Sequence, residues 1–599
     1  MRIAPFLARF LFLGALMALP PAQAQAPAPL PPLIAWKGAS EALIAKPGDP
    51  WISPAEAAKF ETTPDYAATR AWLEKLVAAS HHLLTLEEFG KTAQGRPLYF
   101  VRASKGGAGK PVVLAQAGIH SGEIDGKDAG LMLLRDIALR GKDGLLDHAD
   151  LVFVPIFNAD GHERSSPFNR PNQRGPANQG WRTNAQNLNL NRDYLKADTP
   201  EMRAMIALLR RFQPALYLDL HVTDGTDYQY DITYAFSGWR GYYAASPAIG
   251  AWLDQSFRPA IDAALSKNGH VPGYYVSALD NRDPDKGITH DPDLARFSTG
   301  YGDLARIPSV LLETHSLKPY RQRVLGTYVF VEAALRLVGE KRKDVLAAIA
   351  QDRAARPTDA VLSWKPLDAP IYTISGFKGM EFERYLSAAS GREEIRWLGK
   401  PKVQNMPVFG FAPDFTAQLP IAWWIPPTAT ALIERVKLHG IAFETITQPR
   451  KLRLDRVRLL EPKLQGANEG HVPLHAKFRH EMLEEEFPPG SLRVPSAQPL
   501  GLLAAHLLEA EGPDSLLAWN FFPEILQRTE YIEGYVIAPM AEAMLARDAQ
   551  LKSSFEAKLA ADPAFAADGD ARLAWFYERS PYYDARFLLY PIGREMAGP

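Results

Sequence analysis

The strongest constraint on the fold is an alternation. The segments "PVVLAQAG" (111–118), "LVFVPIFN" (151–158), "ALYLDLH" (215–221) and "SVLLETH" (309–315) are short and almost wholly apolar. Between them run "GKDAGLMLLRDIALR" (126–140) and "TPEMRAMIALLRRF" (199–212), whose apolar residues recur at helical spacing. A short apolar run without polar alternation reads as a strand buried on both faces, and the helices between such strands supply the covering layers. The expected class is α/β, a mixed sheet flanked by helices, with an additional α+β region towards the C-terminus.

At 599 residues the chain is long enough for several domains. The opening "MRIAPFLARFLFLGALMALPPAQAQ" places Arg2 and Arg9 before an apolar stretch too short to span a bilayer comfortably, then Ala22-Gln23-Ala24. This reads as a secretory signal over 1–24, followed by a proline-rich linker over 25–50, and implies a periplasmic or secreted protein. No later segment is long and apolar enough to span a membrane. The main region is expected over 51–350, an α/β accessory region over 351–450 and a C-terminal accessory region over 451–599. Within these, "RPTDAVLSWKPLDAP" (356–370) reads as a proline-broken linker, "KLRLDRVRLLEPKL" (451–464) as β-structure and "KFRHEMLEEEF" (477–487) as a charged helix face. The last of these lacks the second His of a His-Glu-x-x-His site, and "SKGGAGKP" (104–111) lacks the Ser/Thr of a phosphate loop, so neither carries chemistry.

With 67 basic and 68 acidic residues, no overall field draws the chain to nucleic acid. Function must therefore be local, and the polar residues have a pattern. His120 and Glu123 follow the first strand, Asn158 and Asp160 the second, His221 ends the third and Glu313 the fourth. In open α/β sheets ligands bind at the carboxyl ends of strands. The chain has no cysteine, so a metal site must use His and carboxylate. A catalytic zinc takes three such ligands and leaves a position for water. His120, Glu123 and His221 form that set, for one zinc per chain, and Glu313 is the candidate base for the water.

The chain resembles the M14 family of zinc carboxypeptidases. The resemblance rests on the His-x-x-Glu of "GIHSGE", "NADG" (158–161), "WR" (181–182), "NR" (191–192), "DLH" (219–221) and "LLET" (311–314), in the family's order over about residues 55–345. It implies zinc ligands at His120, Glu123 and His221, with Glu313 as base and later proton donor. It also implies Arg182 as the group stabilising the carbonyl oxygen, and Asn191 and Arg192 as the grip on a substrate's terminal carboxylate. The expected activity is hydrolysis of C-terminal peptide bonds in exported or environmental peptides. The rival is a zinc amidase or deacylase acting on cell-wall peptides or acylated amino acids.

Two positions depart from the family's pattern. Asn189 stands where an Asp often orients a zinc-bound His, and a neutral amide raises imidazole basicity less. The mobile tyrosine that covers bound substrate has no fixed match. Tyr301 aligns with a different tyrosine, leaving Tyr274, Tyr275 and the loop 281–301 as candidates for part of the lid. By the same counting Ser298 falls at the floor of the specificity pocket, which favours neither an aromatic nor a basic terminal residue. His315 is expected to support the rim rather than the metal.

Overall fold

The computed structural model describes residues 30–597; the expected signal segment 1–24 lies outside the described residues. Ten strands come from the first part of the chain: β1 (Leu84–Lys91), β2 (Pro97–Ala103), β3 (Val112–Ala117), β4 (Asp150–Val154), β5 (Leu216–Val222), β6 (Ile232–Ala235), β7 (Pro272–Tyr274), β8 (Ser277–Ala278), β9 (Ile288–Thr289) and β10 (Ser309–Thr314). Eight of them form one sheet in the order β1-β2-β4-β3-β5-β10-β6-β7. Its centre, β4-β3-β5-β10, is parallel, and antiparallel pairs (β1 with β2, β2 with β4, β10 with β6) flank it. The mixed α/β sheet expected from the apolar alternation is therefore present.

Both faces of the central strands are buried, which explains their lack of polar alternation. In β3, Val113, Ala115 and Ala117 enter one core and Leu114 the other. In β4, Leu151 and Phe153 enter the first and Val152 and Val154 the second. Helices α1 (Tyr66–Ala79), α2 (Asp125–Leu139) and α4 (Tyr320–Glu340) contribute to the first core. Helix α3 (Pro200–Phe212) contributes to the second, together with residues far along the chain such as Trp423, Leu432, Val436, Leu503 and Leu507. Helix α2 approaches the sheet closely at Gly126, where a Cβ would stand 2.8 Å from Leu220 and 3.0 Å from Ala117. Only glycine allows the loop that precedes α2 to lie so near the strand ends.

Beyond residue 355 two expectations are corrected. The stretch 356–370 is not a linker, because it opens β11 (Asp359–Leu386), which pairs antiparallel with β12 (Glu393–Gln418) in a long hairpin. Its prolines are accommodated where the register shifts, as at Pro366 and Pro370, and β11 has only one neighbouring strand, so a missing N–H is tolerated on its free side. The segment 477–487 is not helical either, since it lies within β16 (Leu474–Phe487), antiparallel to β15 (Arg450–Leu464). Opposite charges meet across the pair: Lys451 pairs with Glu484 at 3.0 Å, and Arg458 pairs with Glu481. The β-structure expected over 451–464 is present in β15. The two strands belong to a six-stranded C-terminal sheet.

Candidate functional site

The site begins where β3 ends. Gly118 takes φ 71°, a left-handed turn open to glycine, and redirects the chain so that His120 and Glu123 follow within one tight loop. Glu123 N donates to His120 O at 2.9 Å, closing that loop. Helix α2 then starts at Asp125, whose carboxylate accepts from Thr314 Oγ1 (2.6 Å) and from Arg323 Nε (2.8 Å). Thr314 is the neighbour of Glu313, so this buried carboxylate ties the His-Glu loop to the end of β10.

The two histidines present the same ring atom to the same carboxylate. His120 Nδ1 lies 3.1 Å from Glu123 Oε1 and His221 Nδ1 lies 2.9 Å from Glu123 Oε2. One donor atom from each residue falls within 4.8 Å of the others, and all three side chains are buried. The outer ring atoms have separate neighbours: His120 Nε2 is 3.0 Å from Asn189 Oδ1, and His221 Nε2 lies 2.9 Å from Asp219 Oδ2, a charge contact without hydrogen-bond geometry. Fixing the far nitrogen in this way points the near one at a common centre. Burial would raise the Glu123 pKa, but His120 and Arg170 hold it well below the carboxylate range. Burial alone would lower the His221 pKa, yet Asp219 and Glu123 carry it well above the imidazole range. The donor set of two imidazoles and one carboxylate fits zinc.

Glu313 stands opposite His221 in the register of β10 with β5. Burial pushes its carboxyl up to about 8, with His221 opposing and Glu123 reinforcing the shift. Its Oε2 is buried without a hydrogen-bond partner. These groups open onto a pocket of about 290 Å³ that also includes Arg182, Asn191 and Arg192. Arg182 Nη1 reaches Glu123 Oε1 at 3.4 Å, and its loop is braced by Asn158 Nδ2 on Arg182 O. Asn191 Oδ1 is buried without a partner. Half-buried Arg192 lies over the Phe297 ring at 4.6 Å and forms no ion pair among the described residues. Arg192, a cation without a carboxylate partner among the described residues, stands on the pocket wall where an anion can reach it.

The seven residues given a metal, catalytic or substrate role from the sequence, His120, Glu123, Arg182, Asn191, Arg192, His221 and Glu313, line this one pocket. Asn158 and Asp160 do not: Asn158 caps a short helix through Gly161 N, and Asp160 accepts from Thr92 Oγ1 and Gln94 N. His315 lies against Asp227 at 3.2 Å and stays off the pocket. Tyr301 is committed to His439 Nδ1 at 3.1 Å, whereas Tyr274, Tyr275 and Ser298 line the pocket. The charge of Glu313, with burial, holds the Tyr275 phenol well above its ordinary range.

Several contributors carry no local signal in the sequence. Arg170 Nη2 sits 2.9 Å from Glu123 Oε1. Glu469, from far down the chain, accepts from Asn189 N at 2.8 Å and so fixes the residue that orients His120. His290, Asp291 and Asp293 line the recess beyond Tyr242 and Tyr274. Asp219 was visible, two residues before His221, but only the fold gives it a partner.

Residues 69–266 match the zinc carboxypeptidase family. Carboxypeptidase A1 of Homo sapiens is 32% identical over 104 residues, 16% of this chain and 25% of that protein. Carboxypeptidase B of Astacus astacus is 27% identical over 100 residues, 16% of this chain and 33% of that one. The chain thus spans a quarter to a third of the length of these relatives. Carboxypeptidase 2 of Trichophyton rubrum is 21% identical over 490 residues, 75% of this chain and 82% of that one. Among solved structures, the putative carboxypeptidase A from Shewanella denitrificans aligns with a TM-score of 0.36 at 21% identity, over 45% of this chain and 69% of that one. The matched span, residues 69–266, carries His120, Glu123, Arg182, Asn191, Arg192 and His221, while Glu313 lies beyond it.

Proposed function

We propose that this protein is an exported zinc metallocarboxypeptidase that removes C-terminal residues from peptides in the periplasm or outside the cell. The observation that carries the reading is the meeting of His120, Glu123 and His221 with Glu313, whose Oε2 has no hydrogen-bond partner, and with Asn191 and Arg192 in one pocket.

A zinc ion on those three donors supplies a Lewis acid and an acidified water. Arg192 and Asn191 take the substrate's terminal carboxylate, the guanidinium through two parallel hydrogen bonds, which selects chain ends over internal bonds. Arg182 donates to the scissile carbonyl oxygen as negative charge builds on it. Glu313 takes the proton of the attacking water and passes it to the departing amine nitrogen, so the peptide C–N bond breaks while a carboxylate and a free amine form. The sequence pattern of Arg2 and Arg9 ahead of an apolar stretch and Ala22-Gln23-Ala24, read as a secretory signal, supports export; no described helix is long and apolar enough to cross a membrane.

The test is metal analysis together with a digest of a mixed peptide library, read by mass spectrometry for the wild type and Glu313→Gln. The reading expects about one zinc in both proteins and stepwise C-terminal trimming by the wild type alone. Zinc without trimming moves the assignment to an amidase or deacylase, and trimming by Glu313→Gln removes Glu313 from the role of base.

A further inference from the structure

A second recess, of about 650 Å³, adjoins the catalytic pocket and shares Thr223, Asp224, Tyr275 and Ser277 with it. Its lining includes neither Asn191 nor Arg192, and it meets the catalytic pocket through Thr223 and Asp224, which directly follow His221 and Val222 in the chain. One of its walls comes from outside the segment that matches the family: Ile395 and Trp397 of β12 face it. We infer that the β11–β12 hairpin builds a binding groove for the substrate residues upstream of the scissile bond, with Trp397 as its principal contact. This rests on the carboxypeptidase reading.

The direction follows from the two ends of the substrate. A peptide whose terminal carboxylate sits at Arg192 and whose last carbonyl sits beside the His-Glu-His cluster has one way left to run, across Thr223 and Asp224 into this recess. The groove has the character that an extended chain needs. Trp397 and Ile395 offer apolar surface, while Asn172, Asp224 and Thr226 provide polar groups for a peptide backbone. Its volume exceeds that of the catalytic pocket more than twofold.

The hairpin is seated to serve as a wall. β12 extends the small strand β9 in parallel register, Val408 to Ile288 and Phe409 to Thr289. Gln229 Nε2 donates to Gly379 O (2.9 Å) and Lys402 O (2.8 Å), and Arg384 pairs with Asp283 at 2.7 Å. Trp397 itself is set edge-on against Phe382 of the opposite strand, ring centroids 5.6 Å apart, which fixes its orientation. The N-terminal segment closes the far side: Leu30 and Pro31 line the recess, and Arg174 Nη2 donates to Pro31 O at 2.5 Å. Arg396, between the two lining residues, points to the other face of the strand and pairs with Glu383.

The experiment compares an N-acylated dipeptide with a hexapeptide ending in the same two residues, on the full chain loaded with zinc. Trp397→Ala is expected to raise KM for the hexapeptide about five- to tenfold, to leave KM for the dipeptide unchanged and to leave kcat unchanged for both. Ile395→Ser shifts in the same sense, and Arg396→Ala behaves as wild type. A Trp397→Ala effect equal on both substrates, or absent from both, overturns the groove, because a general loosening of the fold does not discriminate by length. If the wild type hydrolyses neither peptide, the reaction assigned above fails. Calorimetry then makes the same comparison on binding. Hexapeptide affinity lowered by Trp397→Ala with dipeptide affinity unchanged keeps the groove, and a wild type that binds both peptides equally, or neither, overturns it.

Discussion

Glu313 and His221 are register partners on adjacent parallel strands, β10 and β5. A candidate base and a candidate metal ligand are therefore positioned by main-chain hydrogen bonding, with no flexible loop between them. A strand in the middle of an eight-stranded sheet cannot slide to compensate for a shorter side chain. Glu313→Asp, which withdraws the carboxylate by one methylene, is expected to lower kcat by ~10²-fold, the cost of about 1 Å of misplacement. Zinc content and KM should stay near wild type. Steady-state kinetics beside metal analysis check it, and unchanged kcat would show that the carboxylate's position is not limiting.

Asn189 holds His120 through a neutral amide oxygen at 3.0 Å. A carboxylate in that place makes the imidazole a stronger donor, and loss of the contact makes it weaker. Asn189→Asp is expected to tighten zinc binding by up to ~10-fold and Asn189→Ala to weaken it by ~10–100-fold. Competition with a chelator of known affinity measures both. Equal affinities for the three proteins would mean that Glu469 and the loop backbone alone orient the ring.

Arg192 has no carboxylate partner among the described residues and faces the pocket. A charge-assisted hydrogen bond to a substrate carboxylate contributes about 1.5–3 kcal/mol. Arg192→Ala should therefore lower kcat/KM for peptides with a free C-terminus by ~10–10²-fold. Cleavage of C-terminal amides, which lack the carboxylate, should be little changed. A loss of equal size on both substrates would assign Arg192 to the scaffold.

How far the site could be read from sequence depends on how local each contact is. The central strands and α2 and α3 were legible because burial on two faces leaves an unbroken apolar run, and their polar ends were legible because they lie at chain positions the alternation itself marks. Arg170, Glu469 and the His290–Asp293 wall were not, since each meets the site only through the folded chain. The hairpin and β16 misled for a related reason. Proline and a run of Glu carry strong local preferences, and in both places a neighbouring strand overrides them, through register shifts at Pro366 and Pro370 and through the Arg and Lys side chains of β15 facing the glutamates.

Asp293 lies in the pocket wall near two other carboxylates, Asp291 and Asp303, and burial pushes it up to about 6. Ser237 Oγ donates to it at 3.1 Å, and no cation pairs with it among the described residues. An acid whose folded-state pKa is raised above its ordinary 3.8 binds its proton more tightly in the native state. The fold therefore loses stability as pH rises from about 4 to 6, and the cost is complete above that, at roughly 1–3 kcal/mol. Asp293→Asn should raise the melting temperature at pH 8 and leave it unchanged near pH 3. A lower melting temperature at pH 8 would mean that the ionised carboxylate is stabilised by contacts other than these.

The second core bears on whether the first 355 residues fold alone. Helix α3 and its surroundings bury Leu195, Met205, Leu209 and Tyr301 in the same cluster as Leu432, Val436, Leu503 and Leu507. The contact is polar as well: His439 Nε2 lies 2.9 Å from Leu195 O, Arg435 Nε donates to Lys196 O at 2.8 Å, and Arg435 pairs with Asp198 at 2.9 Å. Exposing four large apolar side chains at roughly 1.5–3 kcal/mol each removes about 6–12 kcal/mol. The net stability of a domain is only about 5–15 kcal/mol. Glu469 and the hairpin leave the site at the same time, so residues 25–355 expressed alone are expected to be aggregated or loosely packed, without a cooperative melting transition and without zinc affinity. Circular dichroism against temperature and zinc titration test this. A fragment that melts cooperatively, binds zinc and trims peptides would show that the C-terminal half is an independent module, attached to a catalytic unit complete without it.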